Sequence, residues 1–376
     1  MFAAMKRQAC VSGVPDSRKR LKGQAEIVIG MAGTGKTTYA TKALQRRGCS
    51  YTVVLTPAAA LLSEMPDTFT VKLTVDAFLC RSLDMHDRSG LYIDEISMIS
   101  DAKLDRVLER ARRATVIMSG DPFQIPPFST DREVGWWFES AEYQARCPTV
   151  IHLTEQKRMV GWGWAGVRRV LTMIEGQVGG WKDSLECFLM EARAKRRPDA
   201  ELIVFRHEDS EREARAWAVE HEAALEENCL AVGMRGVIKT NLIDRAKSGG
   251  QKVVYTYRNG ERGEIVSIRK QSVGIRVDGK VLRVEHGGID KGVPGVRCAV
   301  AGVVDSAQGK TYDDHVHVIF NDYIPPPAKI VVAISRSRAG VTCEINNLEA
   351  FRHAFSSPAF RFNDKATAFM EAANLI

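Results

Sequence analysis

"IVIGMAGTGKTT", Ile27 to Thr38, sets glycines and a lysine between a β-branched run and a stretch with helical spacing. The bare pattern G-x-x-x-x-G-K-[ST] arises by accident in about one chain in a hundred of this length, so it is suggestive alone. Its flanks give it weight. "AEIVI" (Ala25 to Ile29) reads as a strand and "TTYATKALQRR" as a helix stopped by Gly48, the strand-loop-helix setting that a phosphate cradle needs. Gly30, Gly33 and Gly35 let successive N–H groups turn toward phosphate oxygens, with the positive end of the helix dipole behind them. Lys36 would reach the β- and γ-phosphates and Thr37 would ligate magnesium, with Thr34 and Thr38 completing the cradle. ATP and magnesium are the cofactors this implies; a glycine turn with an idle lysine is the plainer alternative.

The chain has 376 residues, long enough for at least two cores. Charged residues make up 26% and hydrophobic ones 45%, and no apolar run approaches bilayer length, which excludes a helical membrane protein. The start "MFAAMKRQACVSG" has no sustained apolar core or clear cleavage site, which speaks against a secretory leader and for an intracellular place. The eight cysteines are scattered singly, without C-x-x-C pairs or histidines at zinc spacing, and read as reduced thiols with no metal site. A net charge of +7 points mildly to a polyanionic partner. The cluster "SRKRLKGQ" (Ser17 to Gln24) could touch nucleic acid or serve as a nuclear address, or be a solvated arm.

Residues 1–159 alternate the apolar runs "AEIVI", "YTVVLTP", "GLYIDE", "ATVIMSGD" and "TVIHLTE" with helical stretches, as in a doubly wound α/β domain. Residues 160–198 read as a helical connector with Trp162, Trp164 and Trp181, which could stack on bases but at such spacings more often fill an interface. A second α/β series occupies 199–376, from "ELIVF" through a helix and the strand "GVIKTN" to "KIVVAISRSRAGVTCEI". An all-β insert at about 249–290 interrupts it, with hairpin turns at Asn259-Gly260 and Asp278-Gly279, and a small barrel is its simplest form.

"LYIDEISMIS" puts Asp94 and Glu95 at the end of a buried strand. Asp94 would hold magnesium, and Glu95 would take the proton from the water attacking the γ-phosphate. The next strand ends in "SGDPFQIPP", where Gln124 is placed to sense that phosphate or orient the water, beside Asp121. Either motif alone is an ordinary cap or turn.

Together these segments resemble superfamily 1 helicases. "GMAGTGKTT", "YIDEISMI", "SGDPFQIPP", "LTEQKRM", "VVDSAQGKTYD" and "VVAISRSRAGV" are similar to that family's motifs I to VI in order, from about Gly30 to Val341. "AGTGKT" with "DEISMI" is closest to the PIF-type and RecD-like branch, while "VDSAQG" also resembles viral superfamily 1 helicases, leaving DNA and RNA both open. The resemblance implies two RecA-like P-loop NTPase domains facing across one ATP, with motifs I to IV in the first and V and VI in the second. It makes Arg158 and Arg336 the arginines that reach the γ-phosphate, and Gln308 and Gly309 the loop linking the ATP cleft to the nucleic-acid track. "LTPAAAL" resembles motif Ia and "LTVDAFL" the following strand-binding motif, so Thr56 becomes a candidate phosphate contact and Phe78 a candidate base stacker or else core. "VIKTN" resembles the segment opening the second motor domain, with Asn241 as a nucleic-acid contact, and Gln8 could read adenine. Val303 and Ala307 stand where the branch usually shows threonine and serine, which puts hydroxyl contacts there in doubt.

The implied function is an ATP-driven translocase that separates duplex nucleic acid, DNA favoured over RNA, moving 5′ to 3′ in replication, recombination or repair. A monomeric motor is implied, with replication proteins as candidate partners and low intrinsic processivity. The compact layout would suit a virus or phage. The rivals are an ATPase clamp that binds RNA or DNA without unwinding and, more weakly, a P-loop kinase.

Overall fold

The structure, a computed structural model, describes residues 25–127, 134–158, 165–175, 180–226, 229–239, 242–243, 255–257, 261–285 and 295–375. Parallel strands are covered on both faces and therefore read as nearly unbroken apolar runs. The first lobe follows that rule. Strands β1 (Ala25–Ile29), β2 (Tyr51–Thr56), β3 (Val71–Thr74), β4 (Ser89–Ile93), β5 (Thr115–Gly120) and β6 (Thr149–His152) form one parallel sheet in the order β3-β2-β4-β5-β1-β6. Helices α1 (Lys36–Arg46), α2 (Val75–Cys80), α3 (Asp101–Arg110) and α4 (Ala141–Arg146) connect them. In α3, Leu104, Val107 and Leu108 recur at helical spacing and are buried, and the Ser100 hydroxyl accepts the Lys103 N–H as the N-cap.

Strand β3 escapes the sequence reading because it is a short edge. Val71 and Leu73 face the core while Lys72 and Thr74 are partly exposed, and the Lys72 ammonium guards the edge by bonding Asp67 and the Met65 carbonyl. In a wholly parallel sheet every strand ends on the same side. Ile29 lies beside Gly120 and His152, and Ile93 beside Met118, so the loops after β1, β4, β5 and β6 leave the sheet as neighbours. That edge is where open α/β sheets bind ligands.

Within residues 160–198 the structure describes helices α5 (Ala165–Glu175) and α6 (Trp181–Glu191). Trp181 packs on Phe360 and Phe362, with centroids 6.2 and 5.0 Å away, and fills an interface. Trp162 and Trp164 lie outside the described residues.

The second lobe runs from β7 (Glu201–Val204) through α7 (His207–Glu220) into β8 (Arg235–Ile238), β9 (Leu242–Ile243), β10 (Tyr255–Tyr257), β11 (Arg262–Arg269), β12 (Ser272–Val277), β13 (Lys280–Glu285) and β14 (Val296–Cys298). It then resumes with β15 (Ala301–Val303), β16 (Val316–Phe320), α8 (Pro327–Ile334), β17 (Val341–Ile345), α9 (Leu348–Ser356) and α10 (Asp364–Ala372). Its parallel sheet has the order β15-β7-β16-β17.

One expectation needs correction here, and the barrel is not seen closed among the described residues. "GVIKTN" does not return to the parallel sheet: β8 pairs antiparallel with β11 and β14, and Ile265 and Val296 pack where Gly236 has no side chain. The insert is a five-stranded antiparallel sheet, β13-β12-β11-β8-β14, with β9 and β10 as a separate pair, and among the described residues no ladder closes β13 onto β14. Among the described residues the two edges meet at a corner, where bare Gly295 packs on the Glu285 backbone. The Asp278-Gly279 turn has both residues at positive φ, 47° and 76°, as a type I′ hairpin requires; Asn259-Gly260 lies outside the described residues.

The chain end crosses back onto the first lobe. Phe369 packs on Trp137 and Phe138 at 4.8 and 5.0 Å, and Phe362 on Phe123 at 5.1 Å, so one apolar core runs through both lobes. Among the described residues no helix is long and apolar enough to cross a membrane.

Candidate nucleotide site and nucleic-acid cleft

The loop after β1 has the backbone of a phosphate cradle. Gly33 and Gly35 sit at φ 86° and 89°, and a side chain on Gly30 would collide with the Leu153 carbonyl. Lys36 opens α1 and curls its ammonium back onto the Gly30 and Met31 carbonyls, at 2.8 and 3.1 Å. Thr34 bonds the Met31 carbonyl, and Thr38 is exposed at the helix start. The segment after β6 clasps this loop: Lys157 and Arg158 donate their N–H groups to the Gly33 carbonyl at 2.9 and 3.2 Å, and Gln156 Nε2 donates to that of Ala32 at 2.6 Å.

Beside the cradle stand the carboxylates. The Tyr92 hydroxyl donates to Asp94 Oδ1 at 2.6 Å and lies 3.4 Å from Thr37 Oγ1, while Ser119 Oγ donates to the same Asp94 oxygen at 2.8 Å. Thr37 and Asp94, the expected magnesium ligands, thus share one hydroxyl neighbour. Glu95 is buried with a left-handed backbone, φ 49° and ψ 48°, an outlier of the kind that clusters at functional sites. Burial, then the Asp94 charge, raises its carboxyl above the ordinary range, and Lys36 and Arg336 pull it back. Asp121 is likewise raised by burial and opposed first by Lys36; it accepts Gln124 Nε2 at 3.0 Å. Glu95 Oε2, Gln124 Oε1 and Gln308 Oε1 are buried without hydrogen-bond partners, and all three belong to residues expected at the nucleotide. Each of these atoms is an acceptor, which a donor such as a water molecule would satisfy.

Arg336 comes from the second lobe and is fully buried. It donates to the Val332 carbonyl at 2.9 Å, the Ser335 hydroxyl at 3.1 Å and the Lys310 carbonyl at 3.4 Å. Burial lowers its pKa, while Glu95 and Asp121 of the first lobe hold it up, so its charge faces their carboxylates. Arg158 is pushed down to about 10 by burial and then by Arg336, and it donates to the Ser335 carbonyl at 3.4 Å across the lobe boundary. Both arginines therefore meet the Lys36 side of the molecule. Gln308 reaches Ser97 at 3.4 Å, and Gly309, at φ 77°, lies against Leu61 where a side chain would not fit.

Between the lobes lies a cleft of about 570 Å³, lined by the loop from Pro57 to Leu61 on one side and by Lys239, Arg262, Arg297 and Lys310 on the other. Burial and then like-charge neighbours lower Lys239, and the same causes push Lys310 down to about 8. Among the described residues no carboxylate comes within ion-pair distance of Lys239, Arg297 or Lys310, whereas Arg262 bonds Glu201 at 2.9 Å.

Two expected strand contacts do not reach this cleft. Thr56 is fully buried and its hydroxyl donates to the Ala58 carbonyl at 2.9 Å, so the turn itself consumes it. Phe78 is 1% exposed in the core and has no face for a base. Asn241 and Gln8 lie outside the described residues. Sequence reasoning missed Tyr92, Ser119 and Gln156, and all four cleft cations. Lys239 and Lys310 sit inside quoted motifs and Arg262 follows the Asn259-Gly260 turn, but only the folded insert turns Arg262 and Arg297 toward the cleft.

Fold and site together define a two-lobed P-loop protein with an arginine from each lobe at one carboxylate cluster and a basic interlobe cleft. An AAA domain family profile matches residues 18–167, the first lobe. Among solved structures the chain is similar to Pif1 from Bacteroides bound to ssDNA, at 18% identity, TM-score 0.65 and 95% of each chain covered. It is also similar to Pif1 helicase from Bacteroides in complex with ADP-AlF3 and ssDNA (19% identity, TM-score 0.60, 94% of this chain and 100% of that one). Pif1 helicase from Candida albicans matches at 17% identity and TM-score 0.59, over 97% of this chain and 100% of that one. The fold is therefore that of the Pif1 helicases. No curated protein matches the chain.

Proposed function

We propose that this chain is an ATP-dependent helicase of the PIF-type branch, hydrolysing ATP between its lobes to translocate along single-stranded DNA and part the duplex. One observation carries the reading: Glu95 and Asp121 of the first lobe lie within electrostatic reach of both Lys36 and Arg336, so the phosphate cradle and the second lobe's arginine share one site. The domains are taken as 1–159, 160–198 and 199–376.

In this reading Lys36 leaves its loop carbonyls to hold the terminal phosphates, and the N–H groups at Gly33 to Thr38 cradle them. Thr37 and Asp94 would hold magnesium, which would neutralise phosphate charge. Glu95 Oε2, unpartnered now, takes the proton from the attacking water, which Gln124 Oε1 helps to orient. Arg158 and Arg336 stabilise the charge spreading over the equatorial oxygens as the bond to ADP breaks. Hydrolysis then depends on the lobes meeting, which ties it to the cleft between them.

The cleft suits a phosphodiester strand, because Arg262 and three cations with no ion-pair partner among the described residues line it, and their mutual repulsion is relieved by an anion. The Bacteroides complexes hold ssDNA, and one holds ADP-AlF3 with it. Polarity is taken as 5′ to 3′, the motor as monomeric and intracellular, and the setting as replication, recombination or repair. The test is strand release from duplexes carrying a 5′ or a 3′ tail, with Lys36→Ala as control and ATPase stimulation compared on oligothymidylate and oligouridylate. ATP-dependent release from the 5′-tailed duplex is expected; stimulated hydrolysis without release from either duplex would reduce the protein to a clamp.

A further inference from the structure

Two of the cleft's cations are wired to the arginine at the ATP site. The Lys310 side chain lines the cleft, and its own carbonyl accepts Arg336 Nη1 at 3.4 Å. Two residues on, the Tyr312 N–H donates to the Arg336 carbonyl at 2.9 Å. The Tyr312 hydroxyl in turn accepts Arg262 Nη2 at 3.3 Å, and the Arg262 guanidinium stands 5.5 Å from the centroid of that ring. Arg262 comes from β11 of the insert and also faces the cleft. Arg336 is thus gripped from both ends of the segment 310–312, and each grip continues to a cation where a strand phosphate would lie. Its remaining partners, the Val332 carbonyl and Ser335 hydroxyl, belong to its own helix end and cannot report on the cleft.

We propose that Lys310 and Arg262 are positioning residues: by engaging strand phosphates they set the placement of Arg336 through Tyr312 and the Lys310 carbonyl, making hydrolysis strand-dependent. Lys239 and Arg297 line the same cleft and, among the described residues, make no hydrogen bond that leads to Arg336, so they bind the strand without this second role. The inference rests on the reading of the cleft as a strand track.

The experiment is steady-state ATPase of the full chain against rising oligothymidylate, with strand binding followed by fluorescence anisotropy and folding by thermal melting. For Lys310→Met the plateau rate at saturating strand falls at least tenfold although anisotropy shows the strand bound, and Lys310→Arg regains it to within threefold. Tyr312→Phe, which cuts only the hydroxyl link, lowers the plateau severalfold with little change in strand affinity. Lys239→Met and Arg297→Met raise the strand concentration for half-maximal activation and keep the plateau within twofold. A Lys310→Met plateau within twofold of wild type overturns the proposal; should that variant melt early, Tyr312→Phe decides by the same criterion. Absence of any stimulation in the wild-type protein would instead overturn the strand-track reading itself.

Discussion

Glu95 holds a buried carboxylate on a left-handed backbone, a conformation that costs a non-glycine residue on the order of 1–3 kcal/mol. Asp94 on one side and Ile96 beneath Gly120 on the other fix it there, aimed at the cluster that Lys36 and Arg336 share. Arg336 is the complementary position. Removing it as Arg336→Ala should lower kcat by about 10³ to 10⁵, and Arg336→Lys should recover little, because a compact ammonium cannot reproduce the planar fork. Single-turnover hydrolysis at saturating ATP and strand measures both. At Lys310 the pH dependence has a definite sign. Burial, then Arg262 and Lys239, push its ammonium down to about 8, against the pull of Glu64 and Glu201. A bound phosphate holds the proton on, so above that pH the complex binds more protons than the free protein and strand affinity falls as pH rises. Anisotropy titrations from about pH 7 to about pH 9 should show this fall, and Lys310→Arg should flatten it. Legibility at this scale was uneven. Thr56 and Phe78 matched a motif by position, yet a local turn and the core had already claimed their side chains.

Among the elements, the loop between β1 and α1 was the most legible, since glycine spacing and the flanking periodicities are local properties of the chain. Its tolerances follow from backbone approach. Gly30→Ala would drive a methyl into the Leu153 carbonyl and displace the segment that clasps the loop. Nucleotide affinity should drop at least tenfold, about 1.4 kcal/mol, by fluorescent-nucleotide titration, with the melting temperature little changed. Gly48→Ala makes a control with open space around it, though its φ of 67° still costs strain. Strand β3 and the partner of β8 were not legible. A four-residue edge carries too short a pattern, and which ladder a strand joins depends on neighbours distant in sequence.

At the scale of the molecule, the chain end decides how firmly the lobes are joined. Phe369 fills the cluster of Trp137 and Phe138, and Phe362 abuts Phe123 next to Gln124. Phe369→Ala should cost about 3–5 kcal/mol in urea denaturation, the range for deleting a buried ring. Strand binding should weaken with salt at a log–log slope of about −3, since each phosphate neutralised on a single strand contributes roughly −0.7. Sequence by itself determined the parallel α/β lobes, the cradle at Gly30 to Thr38 and the carboxylates after β4 and β5. These rest on periodicity and on residues close together in the chain. Only tertiary structure decided that Arg336 turns toward Glu95, that four cations line one cleft, and that β8 joins the insert's antiparallel sheet. Those facts depend on how elements distant in the chain bury their apolar faces, and no local pattern records where a distant charge will come to rest.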